Sequence, residues 1–225
     1  MPRTATNRYA HWTAATCVLG MLLCASGSAA AASFAVHLET RDGTPLKGAV
    51  LTLDPQSSHM PAAAPVNVIV DQIDLSFVPD ITVIPVGSTI SFPNTDAVSH
   101  QVYSFSSAHR FQLPLYRGKP YPPIPFDQPG VVTLGCNIHD NMLAYVVVTA
   151  APFFGRTDAK GEWLVPAVPT GTYRLTLWHP LLSESAASLE RTVQIVGADR
   201  TDVSVKLARA LRPAPITSRP HSWDY

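Results

Sequence analysis

The run Cys136-Asn137-Ile138-His139-Asp140-Asn141-Met142 holds a thiol, an imidazole and a thioether at Cys-x-x-His-x-x-Met spacing. Each is a soft or borderline metal ligand, and one short loop can aim all three at a common point. A second imidazole is available upstream, at His100 in Asn94-Thr95-Asp96-Ala97-Val98-Ser99-His100-Gln101-Val102. Singly these residues are ordinary, since a buried Cys usually serves as a small hydrophobe and a Met as core filling. Together, two imidazoles, a thiolate and a weak thioether make the trigonal set with a long axial ligand that suits one-electron transfer by copper.

Two strand patterns must hold this loop. Val131-Val132-Thr133-Leu134 precedes it and Leu143-Ala144-Tyr145-Val146-Val147-Val148 follows it, both rich in β-branched residues. Further upstream, Asp71–Pro79 leads into Ile81–Phe92, a strand pair broken at Val86-Gly87-Ser88. On these residues the chain resembles the small cupredoxins over residues 66–150. The loop spacing is closest to that of amicyanin, whose first histidine is likewise preceded by an acidic residue. The resemblance implies a Greek-key β-sandwich and one copper ion per chain. It implies His100, Cys136, His139 and Met142 as the ligands, with Met142 axial. Asn94 is either a plain turn residue or the counterpart of the family's asparagine that hydrogen-bonds across the site to steady the cysteine loop.

Two departures from amicyanin stand out. Ser99 replaces a proline before the first histidine. Asp140-Asn141 replaces the Pro-Phe that follows the loop histidine and contributes to an apolar docking patch there. A carboxylate next to the loop histidine favours a different, basic partner surface.

The N-terminus runs from basic (Arg3, Arg8) through apolar (Ala14 to Leu23) to small residues (Ala25 to Ala32). This order predicts an export signal over 1–32, cleaved before Ser33, and the apolar run is too short to span a membrane. Leu23 before Cys24 argues against lipid attachment. Loss of the signal removes Cys17 and Cys24 and leaves Cys136 as the lone cysteine. An exported lone thiol invites oxidation unless it is buried, paired between chains or metal-bound. Removal of Arg3 and Arg8 leaves 14 basic against 16 acidic residues, a net charge of −2 that gives no footprint for nucleic acid.

The remainder also reads as all-β, since prolines are frequent and no long run has helical period. Phe34–Thr40 alternates, turns through Arg41-Asp42-Gly43-Thr44-Pro45, and is followed by Ala49–Leu53, which predicts a hairpin. These residues resemble the opening of the transthyretin-like, carboxypeptidase regulatory-like sandwiches. Thr157-Asp158-Ala159-Lys160-Gly161 and Pro169-Thr170-Gly171-Thr172-Tyr173 resemble the closing part of that family. The expected division is signal 1–32, accessory hairpin and linker 33–65, cupredoxin 66–150, remainder of the accessory sandwich 151–208 and a flexible tail 209–225. Tandem domains with a separate N-terminal hairpin are the alternative. Residues 106–129 read as loop. His109, after the first ligand's strand, could approach the site but reads as a surface histidine; His37 and His179 read as structural or exposed, and none has zinc-ligand spacing.

The resulting expectation is a periplasmic, monomeric carrier of single electrons, serving redox partners such as a dehydrogenase or a cytochrome c. No nucleic acid, no membrane span in the mature chain and no substrate turnover are expected, because no nucleophile triad or paired-carboxylate pattern has a convincing context. A copper store or transfer protein, or a structural sandwich with a vestigial site, are the alternatives.

Overall fold

The computed structural model describes residues 31–57, 60–118, 120–197 and 199–214. The expected signal, up to residue 30, and the end of the expected tail, from residue 215, lie outside the described residues.

Period-two alternation produces strands throughout. In chain order they are β1 (Ala31–Glu39), β2 (Val50–Pro55), β3 (Asn67–Ile69), β4 (Asp71–Ile73), β5 (Ser76–Val78) and β6 (Ile81–Pro85). There follow β7 (Ser88–Ser91), β8 (Tyr103–Ser106), β9 (His109–Gln112), β10 (Ile124–Phe126), β11 (Gly130–Gly135) and β12 (Leu143–Thr149). The last are β13 (Phe153–Arg156), β14 (Glu162–Pro169), β15 (Gly171–Trp178), β16 (Arg191–Ile195) and β17 (Thr201–Lys206). A single turn of helix, α1 (Ala186–Leu189), is capped by Ser185, whose side chain accepts from Ser188 N. The chain is all-β, as its alternation predicts.

Two sandwiches share the chain. β14-β1-β17 packs on β13-β2-β15-β16, and their inward faces contribute Phe34, Val36, Leu38, Leu51, Leu53, Trp163, Leu175 and Leu177 to one core. Phe34 and Trp163 meet edge to face at 6.2 Å. The strands of residues 31–55 thus pair with those of residues 153–206, and of the strands between, β3 and β6–β12 form a second sandwich, with β4 and β5 as a separate hairpin. There, β10-β7-β3 packs on β6-β12-β11-β8-β9 around Ile84, Ile90, Phe126, Val132, Leu134 and Val146. β6 runs parallel to β12, and β3 parallel to β7.

Three features differ from the sequence reading. The first two strands are no hairpin. The turn exists, with Thr40 N donating to Thr44 O at 2.8 Å and Glu39 bridging Pro45, but β2 then crosses to the opposite sheet. Both edges of β1 are already taken, by β14 antiparallel and β17 parallel, so β2 reaches the core only from the other side. Next, residues 106–129 contain β9 and β10, whose pairing to β8 and β7 supplies the order that their own prolines and polar residues do not. Last, the start of the expected tail is anchored. Arg209 N donates to Glu184 Oε1 at 3.0 Å, Arg212 N to Leu181 O at 2.7 Å, and Leu211 packs on the accessory core.

At the amino end, β1 begins two residues before Ser33, and Ala32 is fully buried opposite Val168. Between the sandwiches, Val50, Ile81 and Val147 form a small apolar cluster with Tyr145 and Trp178 against it. The Tyr145 and Trp178 rings lie 5.3 Å apart, and Arg156 Nη1 donates to Ile81 O at 2.7 Å.

Candidate metal centre

β11 and β12 are antiparallel neighbours whose last register pair is Gly135 with Leu143, so residues 136–142 are the connection between two core strands. Met142 N donates to His139 O at 3.0 Å and closes this loop on itself. Cys136 and Met142 turn inward and are 4% and 2% exposed, while Ile138 points out. Gly135 has a local reason to be glycine. The ring of Tyr103 on β8 lies over it, and a Cβ there would come within 2.8 Å of Tyr103 Cζ.

His100 reaches the same place from another element. Its amide donates to Tyr116 O and its carbonyl accepts from Tyr116 N, both at 3.0 Å. The residue is fully buried. Its Nδ1 lies 2.9 Å from His139 Nδ1, and Cys136 Sγ lies 3.6 Å from His139 Nδ1. The ligating atoms of His100, Cys136 and His139 all fall within 4.8 Å of one another, the one such group of His, Cys, Asp and Glu among the described residues. Cys136 has no disulfide partner among the described residues. Met142 shares the apolar cluster of Cys136.

The surroundings hold these atoms in place. His100 Nε2, the nitrogen facing away from His139, is 2.9 Å from Asp96 Oδ2. Burial pushes the Asp96 carboxyl up, but hydrogen bonds from Leu75 N, from His100 and from Ala97 N outweigh it and hold the group below its ordinary range. Asp96 is therefore ionised at neutral pH and fixes which nitrogen of His100 carries the proton. Burial, and then the neighbouring His100 imidazole, lower the pKa of His139, which keeps its ring neutral with a lone pair to give. Gln101 N donates to Cys136 Sγ at 3.5 Å. Such donor sets accept a soft or borderline transition metal, whereas hard cations take oxygen cages.

Asn94 is buried, and both its amide protons are used beside His100, on Val98 O at 3.0 Å and Tyr116 O at 2.9 Å. Its Oδ1 accepts from Asp96 N. It steadies the loop that carries His100 and Asp96. Asp96 is visible in the sequence as the acidic residue before His100, but without a role there. Its position four residues ahead of His100 was the available signal. Tyr116 was also without a role in the sequence. Its hydroxyl donates to Phe92 O and accepts from Gln72 Nε2, and burial pushes its pKa up to about 12.

The other described histidines stand apart. His109 sits among Phe111 and Phe126, at ring distances of 5.2 and 5.0 Å, and burial lowers its pKa. It is a half-buried packing residue, not the surface histidine its sequence suggests. His37 lies between Glu162 and Asp202 on the outer face of the accessory sandwich, 3.3 Å from each. His179 accepts from Leu181 N at the junction of the sandwiches.

No family model and no curated protein matches the chain. Among solved structures, a copper-containing nitrite reductase from Thermus scotoductus is 28% identical over 43% of this chain, with a TM-score of 0.35. The match spans 25% of that enzyme's own length. A purple cupredoxin from Nitrosopumilus maritimus is 22% identical over 36% of this chain and 99% of its own, with a TM-score of 0.33. Amicyanin from Paracoccus versutus is 20% identical over 44% of this chain and 98% of its own, with a TM-score of 0.34. Overlaps of this size carry no weight for the site, which stands on its own geometry.

Proposed function

We propose that this chain binds one copper ion through His100, Cys136, His139 and Met142 and carries single electrons between redox proteins, without turning over a substrate. The observation behind this reading is the convergence of two imidazole Nδ1 atoms and a lone thiol sulfur in a buried, strand-anchored pocket. Copper, when bound, supplies the one-electron chemistry, and the thioether of Met142 is the soft, weak fourth donor that favours its reduced form.

The chain's own residues do the rest. Asp96 holds the His100 ring by its far nitrogen, which keeps Nδ1 aimed inward. The Gln101 amide directs its dipole at the sulfur and spreads the thiolate charge, a means of tuning potential. β11 and β12 fix both ends of the ligand loop, which would let the donor atoms keep their places in either oxidation state of a bound copper ion. Burial of Cys136 and Met142 keeps water from the sulfurs. The basic, apolar and small order of residues 1–32 supports work in the periplasm, where electrons pass between soluble carriers.

The test is visible absorption of the purified protein with one equivalent of Cu(II), before and after ascorbate. The expected result is an intense thiolate-to-copper band that bleaches on reduction and returns on oxidation. Retained copper with only a faint band overturns the carrier reading in favour of copper storage or transfer.

A further inference from the structure

Where the two sandwiches meet, a crevice of about 410 Å3 opens beside the ligand loop. Asp140 and Leu143 line it together with Pro180 and Leu181, from the turn after β15, over the buried Phe77 and Ile81. The Asp80 side chain, also in the lining, is 74% exposed, and Asp140 is exposed. No lysine or arginine lines the crevice among the described residues. Two arginines stand at its edge: Arg156 pairs with Asp80 through Nη2 at 3.7 Å while its Nη1 donates to Ile81 O, and Arg212 donates to Pro180 O at 2.6 Å.

The sequence around this end is acidic except at Arg117, which follows the Tyr116 that pairs with His100. Residues 48–109 and 120–155 contain no lysine or arginine, yet carry Asp71, Asp74, Asp80, Asp96 and Asp140. The β4–β5 hairpin that bears Asp71 and Asp74 is tied to the loop of His100. Leu75 N donates to Asp96 Oδ2 at 2.9 Å and Thr95 Oγ1 to Asp71 Oδ2 at 3.1 Å. Carboxylates therefore flank the end of the molecule that carries the metal ligands. An apolar floor below a carboxylate mouth complements a long cationic side chain, whose methylenes bury while its charge stays at the rim.

We propose that this crevice receives a lysine or arginine side chain of a basic redox protein, and that the accessory sandwich, through Pro180 and Leu181, shapes the docking site. The inference rests on the electron-carrier reading. Asp140 directly follows His139, so a partner seated in the crevice covers the loop through which its centre and the metal face each other. One electron leaves the reduced site and reduces the partner's oxidised centre, with no bond made or broken. The accessory unit thereby acts in partner choice as well as in support.

The experiment is stopped-flow oxidation of the reduced copper protein by two acceptors, a basic c-type cytochrome and hexacyanoferrate(III). Three forms are compared: the parent, the double variant Asp80→Asn with Asp140→Asn, and Leu181→Lys, which places the chain's own cation in the crevice. With the cytochrome, the parent rate is expected to fall as salt rises, and both variants to be about tenfold slower than the parent at low ionic strength. With hexacyanoferrate neither variant is slower than the parent. Equal cytochrome rates in all three forms overturn the docking site. So does a loss shared by both acceptors, which marks a damaged centre. If the parent reduces neither acceptor, the carrier reading falls, and the docking site with it.

Discussion

The carboxylate of Asp96 lies 2.9 Å from Nε2 of His100, on the side of the ring away from the nitrogen that faces His139. Outer partners of this kind set the tautomer and the angle of a ligating ring. Asp96→Asn keeps the shape and removes the charge. Copper affinity, measured by chelator competition, is expected to fall about 10- to 100-fold with the fold intact by circular dichroism. Unchanged affinity would show that the ring is held by its backbone pairing with Tyr116 alone.

Cys136 supplies the only sulfur anion in the centre. Cys136→Ser is expected to abolish the intense visible band and to leave the far-ultraviolet spectrum of the β-fold in place. Metal that binds only the folded chain stabilises it, by about 4 kcal/mol at a thousandfold excess over Kd. Copper should therefore raise the unfolding temperature of the parent and leave that of the variant where it is. An equal rise in both would remove the thiolate from the site.

Gly135 gives a steric test next to the ligand loop. Gly135→Ala puts a methyl group 2.8 Å from Tyr103 Cζ, and overpacking of this kind costs about 1–3 kcal/mol. Tyr103→Ala in the same chain removes the obstacle and should recover part of the loss in urea denaturation. Additive losses in the double variant would mean that the glycine is there for another reason.

The Tyr145 and Trp178 rings, 5.3 Å apart, join the two sandwiches. A double-mutant cycle with Tyr145→Leu and Trp178→Leu should give a coupling of about 0.5–1.5 kcal/mol. A coupling near zero would mean that the apolar cluster of Val50, Ile81 and Val147 carries the junction without them.

Legibility in the sequence followed the range of the interactions. The ligand loop declares itself because Cys136, His139 and Met142 lie within one turn between two β-branched runs. His100 is distant in sequence, yet its Asn-x-Asp run marked it. Asp96 stood in view without a role, because which ring nitrogen faces inward is decided only when His139 comes into place. The crossing of β2 to the second sheet was hidden for a similar reason. A turn such as Thr40–Thr44 is the same whether the next strand pairs back or crosses over, and the choice is made by β14 and β17, far along the chain. β9 and β10 are short and broken by polar residues and proline, so only their neighbours make them strands.

β1 lies between β14 and β17, whereas residues 66–150 form their sandwich from one uninterrupted stretch. These two parts cannot mature on the same schedule as the chain is made. The metal-binding part can close as soon as its own last strand, β12, is available. β1 must hold its apolar residues unpaired until both β14 and β17 have emerged, a long-range closure that slows folding. The copper-site sandwich is thus built first and framed afterwards, and defects in β17 should trap a chain whose centre is formed and whose opening strand is exposed to aggregation.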